Sequence, residues 1–144
     1  SQILRYQKRV SGPMLDRIDM HLDIPAVKVE KLTEQKVESG PSSSEIRKRV
    51  QLARDIQTKR FSTGKNAIVS NSEMNSKLIK KYCELSDDSL EILKMAVNKL
   101  NLSARSYNKI LKVSRTIADL EGESKIKPNH IAEALQYRPK LNDV

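Results

Sequence analysis

Two arginines in this 144-residue chain stand in local sequences suited to binding phosphate. Arg17 follows the turn-forming pair Gly12-Pro13, and Arg105 lies two residues after Ser103, in the first turn of a predicted helix. A guanidinium is a planar fork that can donate to two phosphate oxygens at once, and the free amide groups at a helix start also favour an anion. Each arginine could instead form an ordinary ion pair with a carboxylate. On the residues alone that alternative is favoured for Arg17, whereas the two interpretations of Arg105 are balanced.

The strings around both arginines resemble the C-terminal part of the magnesium-chelatase-like AAA+ ATPases, the group that includes the ComM-like proteins. Ser-Gly-Pro-Met-Leu-Asp-Arg-Ile-Asp, residues 11–19, is close to the pattern of the ComM-like branch, which more usually has leucine at Met14. Leu-Ser-Ala-Arg-Ser-Tyr, residues 102–107, precedes the characteristic Arg-Thr-Ile-Ala-Asp-Leu at 115–120. The resemblance implies that Arg17 is an arginine finger and that Arg105 is the sensor-2 residue of the helical lid.

The resemblance also implies a parent enzyme that hydrolyses ATP, with Mg²⁺, as a homo-oligomeric ring for which we expect six subunits. Arg17 would reach into the site of the neighbouring subunit, and Arg105 would contact the phosphates of its own. ComM-like proteins use hydrolysis for DNA translocation or branch migration, whereas chelatase-type motor subunits drive metal insertion into porphyrin. The similarity is closer to the ComM-like branch, so DNA is the expected partner and the chelatase-type motor is the alternative.

The phosphate-binding loop of such an enzyme is not found in this sequence. None of the glycines at 12, 40, 64 and 122 opens a G-x-x-x-x-G-K-[ST] pattern, the loop that cradles the phosphates of ATP. In the family this loop lies upstream, and the chain begins at Ser1 without an initiator methionine, which suggests a piece of a longer protein. We therefore expect this chain alone neither to bind ATP and Mg²⁺ tightly nor to hydrolyse ATP.

A basic segment between Glu45 and Lys65 raises a second hypothesis, from a different functional class. The whole chain carries a formal net charge of +9, and cations concentrated in one segment attract phosphates through counterion release. Arg47, Lys48 and Arg54 are the candidate nucleic-acid contacts, and the chain would then be a stand-alone nucleic-acid-binding module. The competing interpretation, a solvated helix face that keeps the protein soluble, is slightly favoured for these residues alone.

Composition argues against several other classes of protein. Four glycines and 3% aromatic residues are few for a β-sandwich or barrel, whereas 38% hydrophobic residues are enough for a helical core. Cys83 is the single cysteine, and the histidines at 21 and 130 are far apart, so no metal site is predicted. No apolar run approaches the roughly 20 residues that cross a bilayer. We expect no membrane partner and a cytoplasmic location.

Cap and proline signals predict five helices packed in a compact all-α bundle of the AAA+ lid type. The five predicted starts are Ser42, Ser70, Ser86, Ser103 and Pro128. Glu45 and Glu73 complete capping boxes with Ser42 and Ser70, in which serine and glutamate satisfy free amide groups. The first helix should bury a stripe of Ile46, Val50, Ala53, Ile56 and Gln57. Gly122 should end the fourth helix with a left-handed turn.

The N-terminal part, residues 1–25, is predicted to be a remnant of the ATPase core. It should hold a short helix at 2–10 and one strand at 18–24, where Ile18, Met20, Leu22 and Ile24 alternate with polar residues. A lone strand cannot satisfy its own backbone groups, so it must pair with something outside this chain or lie irregularly. A linker at 26–41, a helical lid at 42–138 and a tail at 139–144 complete the predicted organisation.

Several further polar residues are interpreted as structural. Lys109 and Lys112 are expected on a solvated helix face. Arg115 and Asp119, spaced i, i+4, are expected to form an intrahelical ion pair of about 0.2–0.5 kcal/mol. His130, near the start of the last helix, is expected at the surface or in a capping role.

Overall fold

Helices and the turns between them account for most of the computed structural model, which describes residues 12–15, 17–27, 40–62 and 68–138. The helices in these ranges are α1 (Gly12–Leu15), α2 (Ser43–Phe61), α3 (Ser76–Tyr82), α4 (Asp87–Leu100), α5 (Ala104–Leu120) and α6 (Pro128–Gln136), with a 3₁₀ turn at Asn71–Glu73. Within the described ranges β pairing is limited to an isolated bridge between Leu85 and Ile126. The predicted all-α class is therefore confirmed.

Serine caps begin α2, α4 and α5 as the sequence predicted. At α2 the capping box is complete, because the amide of Ser42 donates to Glu45 Oε2 over 2.7 Å and the amide of Glu45 donates to Ser42 Oγ over 3.4 Å. The hydroxyl of Ser103 accepts from the amide of Ser106 at the start of α5. Gly122, after the end of α5, has a φ of +73°, a left-handed conformation that glycine adopts without steric cost. These local signals fix both ends of α5.

The predicted helix start at Ser70 is wrong by several residues. The predicted capping box does not form, because the Ser70 hydroxyl accepts from no amide of the first turn. The Glu73 carboxylate instead accepts from the amide of Val69 over 3.2 Å and from the hydroxyl of Ser70 over 3.1 Å, and only a 3₁₀ turn follows. Met74 then takes an extended conformation, with ψ at 129°, which stops the turn from continuing. The helix α3 begins at Ser76, where the side chain of Asn75 accepts from two free amides.

The strand predicted at 18–24 does not form. The described residues 18–27 have no regular secondary structure, and the apolar members of the alternating pattern are exposed, from 45% at Met20 to 87% at Ile24. The segment has no neighbouring strand in the described part of the chain, so it lies irregularly. Before it, Gly12-Pro13 starts the single-turn helix α1, whereas the sequence predicted that this pair would end a helix. That predicted helix, at 2–10, lies outside the described residues.

The helix α5 lies at the centre of the bundle. It packs against α2, α3, α6 and the 3₁₀ turn. Its buried side includes Ile110, Leu111, Ile117 and Ala118, which recur at the i, i+1, i+7 and i+8 spacing of one helix face. This face joins a core cluster whose other members come from α2, α3, α4 and α6. From Ile110 onward α5 is enclosed by these elements, whereas its first turn, with Arg105, is exposed.

Only two of the five positions predicted for the apolar stripe of α2 are buried, and Ile56, in the second half of the helix, is 36% exposed. Ala53 and Gln57 are buried, and so is Phe61 at the end of the helix. Ile46 and Val50 lie on the same side but are exposed, because the first half of α2 extends beyond the helices that cover the second half. The basic residues of this half are therefore presented on an uncovered stretch of helix.

Candidate phosphate-binding surface

Arg17 lies in a short turn that follows α1. The amide of Arg17 donates to the carbonyl of Met14 over 3.0 Å, and the amide of Ile18 donates to that of Leu15 over 3.1 Å, so the backbone on both sides is fixed. The guanidinium is exposed and lies 4.0 Å from the sulfur of Met14. Asp19, one of the aspartates that could have paired with Arg17, pairs with Lys109 instead. The side chain of Arg17 therefore remains directed to the surface.

Arg105 lies in the first turn of α5, and its side chain is exposed. The turn contains no acidic residue, so the positive end of the helix dipole is uncompensated by its own side chains. Arg105 is not enclosed in the bundle. Enclosure would have prevented its side chain from contacting a nucleotide. An exposed cation on the amide-rich end of a helix is suited to an anionic group.

Lys109 connects these two positions. Its Nζ donates to the carbonyl of Ile18 over 3.0 Å and lies 3.2 Å from the carboxylate of Asp19. Because Lys109 follows Arg105 by one helical turn, both residues lie on the same face of α5. Arg17, next to Ile18 in the chain, therefore lies on the same side of the molecule as Arg105. The sequence had predicted a solvated Lys109, and this prediction is wrong, since its side chain is only 17% exposed.

Lys112 also differs from the prediction of a solvated face. Its Nζ donates to the carbonyl of Ser72 over 2.6 Å and so connects α5 to the 3₁₀ turn. Between the two lysine contacts, an apolar groove of about 280 Å³ is lined by residues that include Met20, Val113 and Tyr137. The candidate surface thus combines two arginines with a neighbouring groove whose lining also includes the charged residues Asp19, Lys109, Lys112 and Glu133.

The second half of α5 is held by a buried ion network. Asp119 accepts from Arg115 Nε over 3.1 Å, as the i, i+4 spacing predicted, and also from Arg60 Nη1 over 2.7 Å. Asn71 Nδ2 donates to the same carboxylate over 2.8 Å. The Asp119 side chain is 0% exposed. The pair therefore belongs to a network that connects α5, α2 and the 3₁₀ turn, whereas the sequence predicted only an intrahelical pair.

Arg115 and Arg60 complete the network in different ways. The guanidinium of Arg115 also donates to the carbonyls of Glu123 and Ser124, in the turn after α5. Burial lowers the pKa of Arg115, and the neighbouring Asp119 opposes that shift. Sequence analysis missed Arg60, although its spacing from Ala53 and Gln57, i+7 and i+3, places it beside the buried stripe.

The remaining candidates for chemistry have structural roles. His130 is buried, and its Nδ1 accepts from the amide of Lys127 over 3.0 Å, so the capping prediction is confirmed and the surface prediction is wrong. Its Nε2 lies 2.9 Å from Glu121 Oε2. Burial raises the pKa of the Cys83 thiol to about 11, so it stays protonated near neutral pH. The described residues contain no group of three His, Cys, Asp or Glu side chains that could hold a metal ion.

The basic candidates lie at exposed positions of α2, Arg47 and Lys48 in its uncovered first half and Arg54 just after the buried Ala53. Arg47, Lys48 and Arg54 are all exposed. The nearby acidic side chains bind groups of α2 itself. Glu45 belongs to the capping box, and Asp55 accepts a hydrogen bond from the side-chain amide of Gln51 over 2.8 Å. Among the described residues no ion pair neutralises the three cations. They are therefore available to an anionic partner.

Comparison with known protein families identifies the chain. The family described as "Magnesium chelatase, subunit ChlI C-terminal" matches residues 40–138. The chain belongs to this family. A second family, "Magnesium chelatase, subunit ChlI", matches residues 1–32. The resemblance to a magnesium-chelatase-like AAA+ protein is thus confirmed, and the bundle is a lid-like C-terminal domain of that family.

Several curated proteins are similar to almost the whole magnesium-chelatase-like chain. Competence protein ComM from Haemophilus influenzae is 45% identical over 95% of the chain, which covers 26% of ComM. YifB from Salmonella typhimurium is 38% identical, again over 95% of the chain and 26% of the relative. Mb2921c from Mycobacterium bovis is 28% identical over 93% and 26%. The chain therefore spans about a quarter of the length of these relatives.

No described helix is both long enough and apolar enough to cross a bilayer.

Proposed function

We propose that this chain supplies two phosphate-binding arginines to ATP hydrolysis by a homo-oligomeric ring, of six subunits. Arg17 acts as an arginine finger and Arg105 as a sensor-2 residue. The observation that carries the proposal is the attachment of Ile18 and Asp19 to Lys109, one turn after Arg105. Two exposed guanidinium groups, distant in sequence, thereby lie on one surface of a family member whose relatives are much longer.

The chemistry of this surface fits the phosphates of a nucleotide. ATP, bound with Mg²⁺ in the full-length protein, supplies a phosphoryl group on which negative charge is redistributed during transfer to water. Arg17 and Arg105 would bind phosphate oxygens and stabilise that charge, and the planar fork of each suits two oxygens better than the point charge of lysine. The side chains of Arg17 and Arg105 suit the phosphates, since both supply exposed cationic donors.

Replacing Arg105 with alanine in the full-length protein is expected to lower kcat for ATP hydrolysis by about 10²–10³-fold, the loss typical of a preorganised charge-stabilising donor. The fold should be unchanged, because the side chain is exposed and the Ser103 cap remains. Steady-state ATPase assays and thermal unfolding check both expectations. Lys125→Ala removes an exposed cation from the turn before α6 and serves as the control. Wild-type turnover of Arg105→Ala would exclude the sensor-2 role.

Mixing the Arg17→Ala and Arg105→Ala variants tests which subunit's nucleotide each arginine contacts. If Arg17 acts on the neighbour's nucleotide and Arg105 on its own, a ring that mixes Arg17→Ala and Arg105→Ala subunits contains some complete sites and regains ATPase activity. If both address the same neighbouring nucleotide, every site in the mixture lacks one of them and activity stays low. The resemblance implies the first outcome. The second outcome would contradict the assignment of the two arginines to different nucleotides.

DNA is the partner we propose for the parent ATPase, with hydrolysis coupled to translocation or branch migration. The similarity to a protein named for competence favours this over a chelatase-type motor. A second candidate function, nucleic-acid binding by the chain itself, is supported by a separate observation: Arg47, Lys48 and Arg54 are exposed on α2 and lack ion pairs among the described residues.

Changing Arg47, Lys48 and Arg54 together to alanine distinguishes these two functions. If α2 binds DNA phosphates, the chain should bind duplex DNA in a salt-dependent manner, and the slope of log K against log salt should decrease by about 0.9 for each phosphate that the variant no longer neutralises. Fluorescence anisotropy over a range of salt concentrations measures this slope. A variant with Lys94, Lys99 and Lys125 changed to alanine removes the same charge from other exposed positions. Equal weakening by both triple variants would show that only net charge matters.

A further inference from the structure

We propose that Lys109 is a positioning residue for Arg17, and that it makes Arg17 move together with the lid helix α5. This inference rests on the proposed role of Arg17 as an arginine finger. Lys109 is not part of the family strings found in the sequence. The sequence predicted that it would lie on a solvated helix face.

The contacts of Lys109 hold the backbone immediately after Arg17. The ammonium donates to the carbonyl of Ile18 over 3.0 Å, and it lies 3.2 Å from the carboxylate of Asp19. A third attachment follows, because the amide of His21 donates to the carbonyl of Tyr137 over 2.8 Å. The segment 18–21 is thus fastened to α5 by a side chain and to the end of α6 by its backbone, while the side chain of Arg17 stays exposed.

Lys109 also controls which carboxylates are available to Arg17. Asp19 lies two residues from Arg17 and could bind a nearby guanidinium, which would compete with a phosphate. In the structure its charge is directed to Lys109. Loss of the ammonium would therefore release the backbone at Ile18 and at the same time free an acidic competitor for Arg17.

The arrangement links two arginines through one helix. Arg105 and Lys109 are one turn apart on α5, so any displacement of α5 that follows contact of Arg105 with phosphate is carried to Lys109. Lys109 passes the displacement to Ile18 through a direct hydrogen bond. The ion pair is only partly buried, with Lys109 17% and Asp19 60% exposed, so solvent screens its contribution to folding. The buried residues of α5 lie on other positions of the helix.

The test compares Lys109→Met with Lys109→Arg and Lys112→Met in the full-length protein. Methionine keeps the apolar stem but removes the charge, whereas arginine keeps a cationic donor. Lys112→Met breaks a similar lysine-to-carbonyl hydrogen bond on the same helix, to Ser72, without touching the segment 18–21. The two readouts are steady-state ATPase kinetics and hydrogen exchange of the peptide that contains the His21 amide.

We expect Lys109→Met to accelerate exchange at His21 and to lower kcat by about ten-fold or more, since a misplacement of about 1 Å can cost about 10² in rate. KM for ATP should change less than kcat, Lys109→Arg should recover most of the activity, and Lys112→Met should do neither. Unchanged exchange at His21, or accelerated exchange with unchanged kcat, would overturn the inference. Arg17→Ala separates the two proposals: if it retains wild-type turnover, the proposed finger fails, whereas an inactive Arg17→Ala beside a fully active Lys109→Met refutes only the role of Lys109.

Discussion

Replacing Arg17 with alanine in the full-length protein is expected to reduce kcat for ATP hydrolysis by about 10³-fold or more, because an arginine finger contributes about 10³–10⁵ in rate. The melting temperature should stay the same, since the side chain is exposed and its one described polar neighbour is the sulfur of Met14. Single-turnover and steady-state ATPase assays measure the loss, and thermal unfolding checks the fold.

Two variants make the Arg17 result specific. Arg17→Lys keeps the charge but loses the planar fork, so it should restore only part of the activity. Lys125→Ala removes an exposed cation from a different part of the surface and should retain wild-type turnover. If Arg17→Ala and Lys125→Ala were equally active, Arg17 would be an ordinary surface residue and the finger assignment would be wrong.

Changing Asp119 to alanine is expected to destabilise the helical domain by about 3–5 kcal/mol, the cost of removing one partner from a buried ion pair. Arg60 and Arg115 both bind this carboxylate, and their side chains are 13% and 2% exposed, so neither can regain full hydration in the folded state. Urea unfolding of the chain, followed by circular dichroism, gives the difference in free energy of unfolding.

The control for Asp119 is Asp55→Ala on α2. Asp55 also accepts a side-chain hydrogen bond, from Gln51, but it is exposed, so its loss should change stability by no more than about 0.5 kcal/mol. If Asp119→Ala leaves too little folded protein to measure, Asn71→Ala removes one donor from the same network and should show a smaller loss in the same direction. Equal stabilities of Asp119→Ala and Asp55→Ala would contradict the importance of the buried network.

The helical starts were predictable wherever the signal is local. Ser42, Ser86 and Ser103 cap their helices because each hydroxyl needs only amides of its own first turn. The box at Ser70 failed because the same local pattern also closes a 3₁₀ turn, and the choice depends on Asn71, which is held by distant Asp119. A hydrogen bond across more than forty residues leaves no trace in a local pattern.

The candidate site shows the same division between local and distant information. The family resemblance indicated Arg17 and Arg105, whereas the contact that joins their segments is made by Lys109 with a backbone carbonyl 91 residues earlier in the chain. A carbonyl acceptor has no sequence signature, since every residue carries one. The alternating pattern at 18–24 wrongly predicted a strand for a related reason. Alternation indicates a strand that pairs with a neighbouring strand, and the described residues provide no such neighbour beside this segment.

The helix α5 begins at the candidate phosphate-binding surface and ends in the buried ion network, and between these ends it is packed in the core. With a rise of about 1.5 Å per residue, Arg105 lies about 21 Å from Asp119 along the axis. If α5 tilts as a rigid rod together with the elements packed on it, a rotation of about 5° about Asp119 moves the Arg105 backbone by about 2 Å, a displacement that can change reaction rates markedly. Under the proposed function, repacking around Arg60 or Asn71 would therefore alter ATP hydrolysis from a distance.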